Sequence, residues 1–175
     1  LAKTFAISFK RFATFSLATR IVGAFTSGVG AALGEAISFQ RELIKVSQVS
    51  GKSVKQLKGL TDEITRLSTS LGVGSKELIG VTRILTQAGF TANETKIALE
   101  ALAKTELAPT FENINETAEA AIAIYNQFGQ GAGKLESQLG SLNAVAGKFA
   151  VEAGDLASAV RRAGGVFVSA GGSLN

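Results

Sequence analysis

Ten apolar residues, spaced alternately three and four apart, run without a break from Phe15 to Val46: Phe15, Ala18, Val22, Phe25, Val29, Ala32, Ala36, Phe39, Leu43 and Val46. Such an alternation averages about 3.5 residues per turn, the period that keeps one stripe of an α-helix facing a second helix. At ~1.5 Å per residue the stripe lies on a helix about 48 Å long. That exceeds what a small domain needs for its own core. A chain with this opening is built to pair or to extend.

The rest of the sequence also points to helices. One proline stands among 175 residues, and no stretch alternates apolar and polar positions with β-branched enrichment. The expected fold class is all-α: a long N-terminal amphipathic helix followed by a compact array of five or six short antiparallel helices. Residues 1–50 form the coiled-coil-like rod in this reading, and residues 51–175 form the helical domain. Ser53 caps a helix ending at Leu71–Gly72, and Ser75 caps one ending at Gln87–Gly89. Thr91 with Glu94 spells a capping box, in which each side chain satisfies the other residue's free backbone N–H. Pro109 stops that helix, and Asn113 with Glu116 starts another that ends at Phe128–Gly129. A helix over 134–149 and a last one over 153–162, stopped by Gly164–Gly165, complete the array. Short loops between such helices make neighbours antiparallel. The apolar stripes agree: Leu57, Leu60, Ile64, Leu67 and Leu71; Leu78, Val81 and Leu85; Ile97, Leu102 and Leu107. The chain begins at Leu1, and Gly171–Asn175 reads as the opening of another helix. The expectation is a segment truncated at its C-terminal end and drawn from a longer protein.

Chemistry is scarce. There is no His, Cys, Met or Trp, so the usual general base, the usual zinc and haem ligands and any disulfide are missing. Lack of cysteine fits assembly in a reducing compartment. The net charge of +4 sits wholly in residues 1–50, which carry six bases and two acids. It lacks the dense basic clusters with which nucleic-acid binders neutralise several phosphates at once. No specific nucleic acid is expected as a partner.

Near-motifs are better explained by structure. Gly51-Lys52-Ser53 ends like a P-loop, but Val46 stands where the first glycine belongs, and a helix precedes it rather than a strand. Gly28-Val29-Gly30 with Gly34 misses the dinucleotide spacing by one residue and lies inside the heptad, while Gly72-Val73-Gly74 separates two helices. Gly30 and Gly34 make a small-xxx-small step suited to close helix approach. The uncharged run Ile21–Gly34 is shorter than the about 20 residues a transmembrane helix needs. Asp62–Glu63 and the group Glu112, Glu116, Glu119 read as solvated carboxylates, the latter beside a helix N-terminus whose dipole favours them. Arg161–Arg162 suit the negative end of a helix. A Ser–His–acid triad cannot form without histidine. No catalytic residue, metal ligand or cofactor site is expected, and the ten-residue seam is the candidate functional element.

In order, the chain carries Phe12-Ala13-Thr14-Phe15 leading to Ile21-Val22-Gly23-Ala24-Phe25, then Ala36-Ile37-Ser38-Phe39 with Lys45-Val46. Leu71-Gly72, Ser75-Lys76-Glu77-Leu78 and Leu85-Thr86-Gln87-Ala88-Gly89-Phe90-Thr91 follow, then Ala118 through Gly129, Asp155-Leu156 with Ala159, and Gly164 before Gly171-Gly172-Ser173-Leu174. In this order and spacing the sequence resembles the core region of bacteriophage and prophage tail tape-measure proteins. Leu43 stands where a methionine is usual, and 145–151 departs from the commoner form. The resemblance implies a structural protein, assembled in the host cytoplasm and lying extended in the tail-tube lumen of the virion. There it sets tube length and leaves ahead of the DNA. It also implies self-association, commonly as a trimer, and contact with tail-tube and distal-tail hub proteins. The host inner membrane is a further implied partner during ejection. Three other readings compete: a membrane-active, pore-forming module built on Phe12–Phe39, a coiled-coil scaffold unrelated to phage, and, most distantly, a Ser–Lys hydrolase.

Overall fold

A computed structural model describes residues 18–173, and side-chain surroundings from residue 34 onward. The described residues are helical throughout, with no strand: α1 (Ala18–Ser50), α2 (Lys58–Leu71), α3 (Ser75–Gln87), α4 (Ala92–Thr105), α5 (Ile114–Phe128), a 3-10 turn (Ala132–Lys134), α6 (Leu135–Phe149) and α7 (Ala153–Ser169). This is the expected all-α class, with six shorter helices after a long first one. Residues through Ser38 form one unit and Phe39 onward a second. The compact unit thus includes Phe39–Ser50, which the periodicity assigns to the rod.

Its core follows from the stripes. Helix α2 buries Leu60, Ile64 and Leu67 with Leu57 just ahead of it, and α3 buries Leu78, Ile79, Val81 and Leu85. Helix α4 is central, packed by α2, α3, α5 and α6. Its alanines make this possible: Ala98, Ala101 and Ala103 are buried alongside Leu99 and Leu102, so neighbours approach from several sides. The expected stripe Ile97–Leu102–Leu107 is therefore corrected. Ile97 is 38% and Leu107 60% exposed. Leu107 lies beyond the helix end at Thr105, and the buried sides pass through Ala98, Leu99 and Leu102.

Several start signals are made as read. The Thr91–Glu94 capping box is complete: Glu94 N–H donates to Thr91 Oγ1 (3.3 Å), and Thr91 N–H donates to Glu94 Oε2 (2.9 Å). Asn113 caps α5 by accepting from the Asn115 N–H at 2.9 Å, without help from Glu116. Ser53 caps a turn rather than the helix itself; its N–H donates to Gln56 Oε1 at 2.9 Å, and α2 begins at Lys58. Ser75 is the first helical residue of α3, behind Gly74. Helices α2 and α5 end where Gly72 (φ 74°) and Gly129 (φ 63°) take left-handed backbone, which costs glycine nothing sterically.

The last helix overturns its expected end. Helix α7 runs through Gly164–Gly165 to Ser169. It lies along α5, in the most extensive helix–helix contact among the described residues. Gly164 is buried at that crossing, and a Cβ there would stand 2.1 Å from Gln127 Oε1. The glycine permits close approach, and the packing along α5 holds the helix across it.

Candidate functional site

The seam meets three situations. Phe15 lies outside the described residues, and Ala18, Val22, Phe25, Val29 and Ala32 lie on α1 where only the backbone is described. Ala36 is exposed. Phe39 and Leu43 are half-buried against the core of the compact unit, and Val46 is only 1% exposed within it. The C-terminal end of the stripe therefore faces its own chain.

An ion-pair network accompanies this contact. Glu42 accepts from Lys45 Nζ at 2.6 Å and lies 3.4 Å from Arg83 Nε on α3. The Lys45 hydrogen bond, then both cations' charge, hold the Glu42 carboxyl below its ordinary range against partial burial. Sequence reasoning missed Arg83, although one signal stood there: it is the lone charge in the run Leu78–Leu85. On α1, Ile37 and Ile44 are 52% and 45% exposed.

The near-motifs are structural where they are described. Gly51 (φ 65°) turns the chain after α1, and Ser47 Oγ donates to Lys52 O at 2.5 Å. Gly72 and Gly74 flank Val73, which is buried between α2 and α3. Glu119 on α5 pairs with Arg161 on α7 at 2.5 Å. The expected placing of Arg161–Arg162 at a helix C-terminus is thus corrected: α7 continues for two more turns. Glu116 is in the first turn of α5. Together with Glu112, Glu152 and Asp155 it borders a cleft of about 110 Å³ between the starts of α5 and α7. Among the described residues no group of acids is arranged to hold a metal ion.

Two more carboxylates are perturbed. Glu94 Oε1 accepts from Tyr125 Oη at 2.7 Å, and Tyr125 stacks obliquely on Phe90 with centroids 4.2 Å apart. That hydroxyl, followed by Thr91, keeps the Glu94 carboxyl below its usual range. Glu106, after α4, is pushed up by burial and then by the charge of Glu77. The Glu94 cluster joins α4 to α5. A second cleft, of about 270 Å³, lies between the end of α1 and the start of α4, lined by Val49, Leu57, Leu60, Phe90 and Thr95 among others.

No helix of the described residues is long and apolar enough to cross a membrane. Residues 61–175 match a family described as phage-related minor tail protein. No curated protein and no solved structure matches the chain.

Proposed function

The chain belongs to the phage-related minor tail protein family, and from that membership we propose that it acts as a tape measure of the tail. In this reading the heptad-bearing helix self-associates, as a trimer, along the lumen of the tail tube. Its extent sets the tube length, and it leaves ahead of the DNA. The partners are other copies of itself, the surrounding tube protein and the distal hub.

The observation that carries this reading is α1. It is a single helix of 33 residues, about 50 Å long. Nine of the ten seam positions fall on it, in a chain whose later residues match the tail family. A self-associating rod is a natural ruler, because helix length is proportional to residue count.

Inserting two whole heptads between residues 18 and 33 in the phage gene tests this. An insertion of about 14 residues preserves the seam phase and adds about 21 Å of helix. Tails measured by electron microscopy should lengthen by that amount. Normally assembled tails of unchanged length would refute the ruler while leaving family membership intact.

A further inference from the structure

Phe39, Leu43 and Val46 belong to two patterns at once. They continue the three–four alternation from Phe15, in phase. They also pack on the core of the compact unit. One stripe cannot face its own core and a second helix together.

The intramolecular contact is slight. Within the compact unit, the 39–50 part of α1 packs through side chains, without the close backbone approach that joins α5 to α7. Among its described side chains Val46 is the one fully buried, and the 3.4 Å Glu42–Arg83 pair is a charged link to α3. Gly51, in left-handed backbone at φ 65°, follows directly and provides a joint. Glu42, adjacent to Leu43, lies on the flank of the stripe, where coiled coils exchange charges between chains. Here that charge is turned to the protein's own Arg83.

We propose that the last three turns of α1 are a strap. Shut, it withholds Phe39, Leu43 and Val46 from other copies of this chain. Open, it adds those three residues to the inter-chain seam. The occupant of the opened stripe is a second copy, because the repeat is continuous with the seam proposed for self-association. Identical helices in register also present matching layers to each other. The inference rests on the self-association reading above.

The experiment uses the full chain, whose lack of cysteine allows single-cysteine reporters. Arg83→Glu sets a like charge against Glu42, and adding Glu42→Arg restores the pairing with its sign reversed. Amide hydrogen exchange reads the strap at residues 39–50, with α4 as the control for overall folding. Disulfide cross-linking between copies is read at Leu43→Cys, with Val29→Cys as the control for self-association itself.

With Arg83→Glu, exchange at 39–50 should rise several-fold while α4 stays protected, and the Leu43→Cys cross-link should increase. The double swap should return both toward the parent. Unchanged exchange at 39–50, or exchange that rises in step with α4, overturns the strap. So does an unchanged Leu43→Cys cross-link while Val29→Cys cross-links normally; self-association then stands without it. No cross-link at either position in any background overturns self-association, and the strap with it.

Discussion

Gly164 and Gly165 are neighbours in one helix, yet alanine should act on them differently. Both lie inside α7, where glycine is less favourable than alanine by about 0.5–1 kcal/mol. At Gly165 a Cβ meets nothing within 4 Å, so Gly165→Ala should keep that whole gain. At Gly164 the added carbon falls 2.1 Å from Gln127 Oε1 and 3.2 Å from Phe128 Cε2. Gln127 must swing away, and its Nε2 then gives up the Arg161 carbonyl, which it holds at 3.0 Å. Losing that bond costs about 0.5–1.5 kcal/mol, which cancels or exceeds the helix gain. The helix gain is common to both, so the two variants should differ by that bond, roughly 0.5–1.5 kcal/mol. For a chain of this size that is about 1–6 °C in Tm. Thermal unfolding followed by far-ultraviolet circular dichroism reads the difference. In a Gln127→Ala background only the Phe128 ring, at 3.2 Å, must give by a few tenths of an ångström, and Gly164→Ala should move toward the gain of Gly165→Ala. If Gly164→Ala raises the Tm of the parent as much as Gly165→Ala does, the close-approach argument fails.

Val46→Ala should destabilise the compact unit by about 1–2.5 kcal/mol in urea unfolding, whereas Val49→Ala, on a residue 40% exposed, should change little. Glu94, with its carboxyl lowered by Tyr125 and Thr91, contributes stability that is present above the ordinary carboxylate range and lost as pH falls through the lowered folded value. Glu94→Gln should flatten that acid limb of the Tm–pH curve. Glu106 has the opposite sign: burial and Glu77 raise it, so the folded state loses stability as pH rises through its titration. Glu106→Gln should accordingly stabilise at neutral pH and have no effect in acid.

Local signals in the sequence translated well. The capping box at Thr91 needs only residues three apart, and the stripe Leu78–Val81–Leu85 needs only one helix face, so each can be read without knowing the neighbours. The features that eluded reading depend on what lies across a contact. Ile97 and Leu107 look like core residues until α4 is seen buried through its alanines on several sides. Gly164 looks like a stop until α5 is placed beside it. The seam shows the same limit: the spacing of Phe39, Leu43 and Val46 sets the side on which they lie but not which partner covers that side.

The central place of α4 also says where such a chain can change its length. One added residue rotates everything beyond it by about 100° around the helix axis. In α4, hemmed in by α2, α3, α5 and α6, that turn would swing buried alanines and leucines out of register with four neighbours together. A rod with a seven-residue repeat takes a whole heptad and returns to nearly the same bearing. If the chain measures the tail as proposed, then in a lineage whose tails grow or shrink the compact unit should stay fixed in size. The variation should be absorbed by helix outside it, in steps of seven.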